Sequence, residues 1–383
     1  MDKSKNRIET ARQPHTTKAS TPYASNGVLQ PHSLYPNTSP LMKSQVNEHD
    51  QDVDEDYDSY YQSDFIPLSL DDDPFMIRNK SMRYTHFLSI NPNGNLGDEM
   101  FRYAALLGIA KRNFMNPIFE KGSFLSSIFN VTLTSKPSND IHSWPIFLEE
   151  ETYSYDYRTE ELNYKIDIQH SGTFHSWKYF QDIKDAVGRE FTFQPYIFDT
   201  SKLFIESAIR KLFGEDETIE STITVGVHLN MGSNLNPNAV TNGFTFASID
   251  YIDTAMAYFH SKYSTQNLLF IVCSDDPEYS RSKISELPIA SRMPIVYADN
   301  DTFDLEMAST PRIERIENEE MHLCLLSLCS HNIISTGSFS WWVGWFTKGT
   351  VIYYDNFPLP DSPLDDEFAP EDYYMPHWIG MFL

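Results

Sequence analysis

The stretch "TITVGVHLNMGSN", residues 222–234, joins a run alternating Ile223, Val225 and Val227 with small or polar residues to a polar segment opened by His228. A buried parallel strand reads this way, and open α/β sheets place ligands just beyond such strands. His228 is the group here expected to titrate near neutral pH, so it is the candidate acid-base or polar contact; a packed, hydrogen-bonded histidine is the bland reading. Asn230, Gly232, Ser233 and Asn234 add neutral groups, with neither cation nor carboxylate. Two more polar turns follow apolar runs: Ser274, Asp275, Asp276 and Pro277 after "NLLFIVC", and residues 335–340, "STGSFS", after "HNII". Ser338, Phe339 and Ser340 open a helical run, so their N–H groups and hydroxyls suit phosphate oxygens, and capping by Ser338 is compatible with that role. Near the start, Gly94 and Gly97 in "NPNGNLGDE" allow tight backbone before a helix whose first N–H groups would suit an anion, although a plain turn reads the same way.

These loops need a scaffold, and the flanking patterns supply one. "YTHFLSI" is a short strand and "MFRYAALLGIAKR" a helix; "SIDYIDTAMAYFHSKY" is a helix behind a Ser248 or Asp250 cap. "NLLFIVC" and "MPIVYAD" are strands, and "MHLCLLSLCSHNIISTGSFSWWVGWFTKGTVIYYDNF" reads helix, strand, loop, helix, strand. Such alternation predicts a parallel α/β fold whose loops at 228–234, 274–277 and 335–340 share one carboxyl edge. Residues 115–220 parse less well. Their Phe174, Trp177, Tyr179 and Phe180 either fill a core or line a sugar-stacking surface.

Composition narrows the function. The 383 residues carry 54 acidic against 29 basic side chains, a net charge of -25, with no Lys/Arg cluster, which excludes nucleic acid or an anionic membrane as the main partner. Cys273, Cys324 and Cys329 sit in apolar runs and are expected to be buried thiols. No stretch approaches the ~20 apolar residues of a membrane span, and residues 1–30 lack a signal-peptide core. Sequons at Asn37, Asn79, Asn130 and Asn300 permit a secretory location. Residues 1–65, polar and ending in "EHDQDVDEDYDSYYQSD", read as a disordered stem-like segment.

Five separated segments resemble the galactoside 2-alpha-L-fucosyltransferase family: "GNLGDEMFRYAALLGIAKR", "GTFHSWKYF", "FIVCSDDPEYSR", "LLSLCSHNIISTGSFSWWVGWFTKGTVIYYDNF" and "PEDYYMPHWIGM", spanning about 84–383. The resemblance implies two Rossmann-like domains facing a cleft, a GT-B-like glycosyltransferase: 66–220 on the acceptor side and 221–383 binding GDP-fucose. It implies fucose transfer to the 2-hydroxyl of terminal galactose on a glycan, without a metal, in the Golgi lumen or at its membrane. The implied donor-binding residues are Gly94, Asn95, Gly97, Asn230, Ser233, Ser274, Asp275, Asp276, Ser338, Phe339 and Ser340, with His228 catalytic. Where the family reads H-V-R-R-G-D-[YF], this chain has His228, Leu229, Asn230, Met231, Gly232, Ser233 and Asn234; Asp98, Glu99 and His322 are further departures. Replacing a charge-assisted phosphate contact with a neutral one costs about 1.5–3 kcal/mol, roughly 10- to 100-fold in donor affinity. Arg102 or Lys178 could replace the cation, and a catalytically impaired glycan-binding or regulatory relative is the alternative reading.

Overall fold

The computed structural model describes residues 84–120, 123–133, 135–136, 141–232, 237–299 and 318–382. The expected stem, Ser233, Asn234 and the sequons at Asn37, Asn79 and Asn300 lie outside them. All of the described residues fall in one compact unit, Pro67–Leu383.

The chain first runs β1 (Phe87–Ile90), α1 (Leu96–Arg112), β2 (Asn116–Glu120), α2 (Leu125–Ile128), β3 (Ser135–Lys136), β4 (Ile146–Leu148) and β5 (Ile168–Ser171). Helices α3 (Lys184–Glu190) and α4 (Pro195–Phe213) lead on to β6 (Ile223–Leu229), α5 (Pro237–Thr241), α6 (Ile249–Lys262), β7 (Leu268–Ser274), α7 (Pro277–Ser285) and β8 (Ile295–Tyr297). Then come α8 (Glu319–Leu328), β9 (His331–Ile334), α9 (Ser338–Phe346), β10 (Val351–Tyr354), α10 (Pro363–Asp366), α11 (Pro370–Tyr373) and β11 (Ile379–Met381). The strands form two sheets, ordered β3-β2-β1-β5-β4 and β11-β10-β9-β6-β7-β8. Neighbours pair in parallel, from β1 beside β2 in the first sheet to β6 beside β7 and β9 in the second. This is the expected parallel α/β fold, and the strands and helices read from β6 to β10 stand where the patterns put them.

The sequence explains the main supports. Residues 223–229 and 268–274 are buried along nearly their whole length, as their continuous apolar runs require of strands covered on both faces. The α6 helix starts behind Ser248, whose hydroxyl accepts from the Tyr251 N–H; of the two caps considered, Ser248 is the one used. Helix α1 departs from the usual surface helix: from Met100 to Ala110 every residue is buried. A helix covered on all sides must lie between layers, and α1 packs against β1 and β2 on one side and α9 on the other.

Phe174, Tyr179 and Phe180 are at most 1% exposed, which settles the aromatic cluster as core; only Trp177 is half-buried. All three thiols are free and buried, and burial pushes Cys324 and Cys329 up to about 12. The C-terminal segment straps the first sheet's loops. The Asp372 carboxylate accepts from the Tyr155 N–H at 2.7 Å and pairs with the Lys178 ammonium, and its carbonyl accepts from Ser176 Oγ at 2.7 Å.

Gly108 of α1 is a demanding packing point, because a Cβ there would collide with the Tyr179 carbonyl oxygen. Overpacking against backbone costs typically about 1–3 kcal/mol, so Gly108→Ala should lower the melting temperature by several degrees in a thermal melt.

Candidate functional site

Three segments after strands of the second sheet meet at the start of α9. After β6, the Asn230 N–H donates to Ser335 Oγ at 2.9 Å, and its Nδ2 donates to the Thr336 carbonyl at 3.1 Å, tying this loop to the one after β9. The Asn230 side-chain oxygen accepts from the Gly232 N–H at 3.0 Å, so both ends of one amide shape the turn. After β7, Asp275 accepts from the Met231 N–H at 2.6 Å. Gly337, at φ 98°, turns the chain into α9 in a conformation that favours glycine, and a Cβ there would lie 3.1 Å from Asn230 Nδ2.

His228 lies behind this surface. Its Nδ1 is hydrogen-bonded to Ser340 Oγ at 2.6 Å, and its ring packs 4.8 Å from that of Phe339. Burial, then the neighbouring His322, pushes its pKa down to about 3 against the opposing pull of Asp275. The expectation that His228 titrates near neutrality is therefore corrected: it is a neutral imidazole at pH 7.

The residues expected to hold donor in the described loops of the second sheet divide into two groups. Asn230, Asp275, Ser338, Phe339 and Ser340 converge around α9. Ser274 and Asp276 turn inward: Ser274 Oγ accepts from the Ser280 hydroxyl and the Asp276 N–H, while the Asp276 carboxylate caps α7 through the Tyr279 N–H. The N-cap of α9 is Gly337, and among the described residues no side chain caps this helix. Capping by Ser338 is thus replaced by another role, because its hydroxyl donates to Asp98 at 2.5 Å and to Asn95 Oδ1 at 3.1 Å, in the loop and first turn of α1.

Helix α1 starts with a capping box. Asn95 Oδ1 accepts from the Asp98 N–H at 3.0 Å, and the Asp98 carboxylate accepts from the Asn95 N–H at 3.3 Å. Gly94, at φ 91°, sits so close that a Cβ would meet the Asp98 side chain, and Gly97 packs on the Ser338–Phe339 backbone with no room for one. The positive end of α1 therefore already holds a carboxylate of its own chain, and Gly94, Asn95 and Gly97 build the junction with α9. Burial alone would raise the Asp98 carboxyl; hydrogen bonds and charges from His175, Ser338 and Arg102 outweigh it and hold it below its ordinary value.

Sequence reading missed His175, Ser335 and Glu319. His175 Nε2 donates to Asp98 at 3.0 Å, while its buried Nδ1 has no partner among the described residues. Its place inside "GTFHSWKYF" was the available signal. Glu319 opens α8 as an exposed residue, and its carboxyl is raised by desolvation and then by the charges of Glu320, Asp275 and Asp98. The two cations considered as substitutes are committed elsewhere. Arg102 donates to the carbonyls of Gly172 and Asn93, and Lys178 pairs with Asp372. Among the described residues, no group of three or more His, Cys, Asp or Glu side chains is arranged to hold a metal.

Two pH effects follow. The Asp98 pKa is depressed, so its contribution is complete above the unfolded value of about 3.9 and is lost as pH falls through the lower folded value. Asp98→Asn should cost about 1–3 kcal/mol in denaturant unfolding at pH 7, a difference that shrinks near pH 3. His170, stacked between Phe147 and Phe174, is also held neutral by burial, down to about 3. Unfolding lets it take a proton, so stability is lost as pH falls below the unfolded value of about 6.5. His170→Phe should flatten that slope by up to ~1.4 kcal/mol per pH unit, read from unfolding curves between about pH 6.5 and 4.

The profile of the family described as "Glycosyl transferase family 11" matches residues 70–382. The galactoside 2-alpha-L-fucosyltransferase Sec1 of Mus musculus is 25% identical over 297 residues, covering 76% of this chain and 73% of that protein. The galactoside alpha-(1,2)-fucosyltransferases 1 and 2 of Bos taurus are 27% and 28% identical over 301 residues, covering 76% of this chain and 75% and 78% of theirs. Among solved structures, NodZ alpha-1,6-fucosyltransferase co-crystallized with GDP aligns with a TM-score of 0.44 at 12% identity, over 71% of this chain and 95% of that one. A mutant of Arabidopsis thaliana FUT1 in complex with GDP gives 0.46 at 9%, over 75% and 74%. With matching residues that span both sheets and every loop of the site, the chain belongs to glycosyl transferase family 11.

Proposed function

We propose that this glycosyltransferase moves fucose from GDP-fucose to the 2-hydroxyl of a terminal galactose on a glycan. The observation carrying this is the uncapped start of α9. Its first-turn N–H groups lie at a strand-end junction with the Asn230 amide, which is suited to an anion in the way helix N-termini generally are. The curated relatives named above are galactoside fucosyltransferases, which supports the donor and acceptor chosen.

In this reading 221–383 is the donor-side domain and 66–220 the acceptor side. The first-turn N–H groups of Ser338, Phe339 and Ser340 and the Asn230 amide face the diphosphate, and Ser233, outside the described residues, is a further donor-binding candidate. His228 contributes as a neutral imidazole that fixes Ser340. The acceptor oxygen bonds to fucose C1 as the bond from C1 to the phosphate oxygen breaks; GDP leaves with the electron pair. The hydroxyl proton leaves to water, because the His228 imidazole, pushed down to about 3 by burial, is too weak a base to take it. The Golgi lumen is the compartment this reading implies. Among the described residues no helix is long and apolar enough to cross a membrane.

Calorimetry on the full chain should give micromolar binding of GDP and GDP-fucose, and incubation with lactose should yield a product whose new linkage is at galactose O2 by NMR. Asn230→Asp would set a carboxylate against the diphosphate and should weaken donor binding by at least about tenfold. A chain that binds neither nucleotide but still binds lactose would be a glycan-binding relative, and the transferase reading would fall.

A further inference from the structure

Helix α9 has a second end. Trp345 lies seven residues beyond Ser338, about 10 Å along the axis at 1.5 Å per residue, and there α9, α3 and the segment before β11 bound an open groove of about 510 Å³. That volume falls within the range of roughly 300–1,000 Å³ typical of small-ligand sites. None of the residues proposed to hold the diphosphate lines it.

Trp345 is half-buried on one wall, held edge-on by Trp342 at 5.2 Å and Phe346 at 5.3 Å. Gly188 of α3 faces it: a Cβ there would lie 3.7 Å from Trp345 Cη2, so the glycine keeps side chains off the ring. Trp378, 7% exposed, packs against Gly344 and has a buried indole N–H without an acceptor among the described residues. The rim adds exposed Lys184 and Arg189 against one carboxylate, Asp185. Among the described residues neither cation has an ion pair or a side-chain hydrogen bond. In a chain of net charge -25, a groove with a local excess of positive charge selects an anion.

We propose that this groove is a saccharide site separate from the diphosphate site, which takes a pyranose ring on Trp345 and its acidic substituent, a carboxylate or sulfate, on Lys184 and Arg189. An aromatic face flanked by polar groups suits the C–H face of a sugar, and Arg and Lys give the anion charge-assisted hydrogen bonds. Asp185 and Thr192 line the same groove, the Thr192 hydroxyl donating to the Arg189 carbonyl at 2.9 Å. Asp185 also opposes a diphosphate, which favours a singly charged sugar over a nucleotide.

The test is intrinsic tryptophan fluorescence of the full chain titrated with 3′-sialyllactose, 3′-sulfolactose and lactose. One or both acidic sugars should quench saturably, with lactose weaker by at least about tenfold. The double variant Lys184→Ala/Arg189→Ala, whose positions are exposed, should reduce the acidic sugars to the level of lactose. Gly188→Leu should remove the response by covering Trp345, with melting temperature and far-UV circular dichroism recording that each variant folds. The assignment is overturned if lactose binds as well as the acidic sugars or if neither acidic sugar quenches up to about 10 mM. It also falls if binding survives both substitutions, or if a second equivalent of GDP or an oligoglutamate peptide displaces the sugar.

Discussion

The contact on which the rest of the structure depends is a glycine laid against the start of a helix. Gly97 of α1 touches the backbone at Ser338 and Phe339 of α9, an approach that any side chain would prevent. Two helix N-termini brought this close place two positive dipole ends together, which is unfavourable unless a negative charge lies between them. Asp98 supplies it, bound at once by the Asn95 N–H, Ser338 Oγ and His175 Nε2. One carboxylate thus caps one helix, joins it to the other and anchors the loop after β5.

That arrangement divides labour between the two helix starts. The α1 end is satisfied internally, while the α9 end, with glycine at its N-cap, keeps backbone donors without a side-chain cap. Around it the fixed partners are an amide, hydroxyls and a buried neutral imidazole. Arg102 helps indirectly by holding the carbonyls of Asn93 and Gly172, so the rims of two first-sheet loops are set by a cation that is itself withdrawn from solvent.

Much of this was legible in the chain. The buried strands β6 and β7 announce themselves as apolar runs bounded by polar turns, and Ser248 marks the start of α6. The first sheet was harder because its strands are short and not uniformly apolar: β4 exposes both Ile146 and Leu148, so no alternation marks an inner face. At the site, the convergence of Asn230, Asp275 and Ser338 to Ser340 followed from strand order, whereas the inward turn of Ser274 and Asp276 depends on Ser280, six residues away, which no local pattern reveals. Burial decided the rest. Sequence gives His228 its chemistry, but the desolvation that makes it a weak base comes from packing, and His175 becomes a partner of Asp98 only through a contact spanning 77 positions.

The strap at Asp372 bears on how the chain acquires its shape. Its carboxylate meets the backbone of Tyr155, 217 positions earlier, and Ser154 Oγ donates to the Glu367 carbonyl across 213 positions. During synthesis the loops of the first sheet therefore emerge long before the groups that complete them. Loop closure over such spans is entropically costly and favours slow, late consolidation. Until Asp372 is made, the Tyr155 N–H and the Lys178 ammonium lack the carboxylate they share in the folded chain.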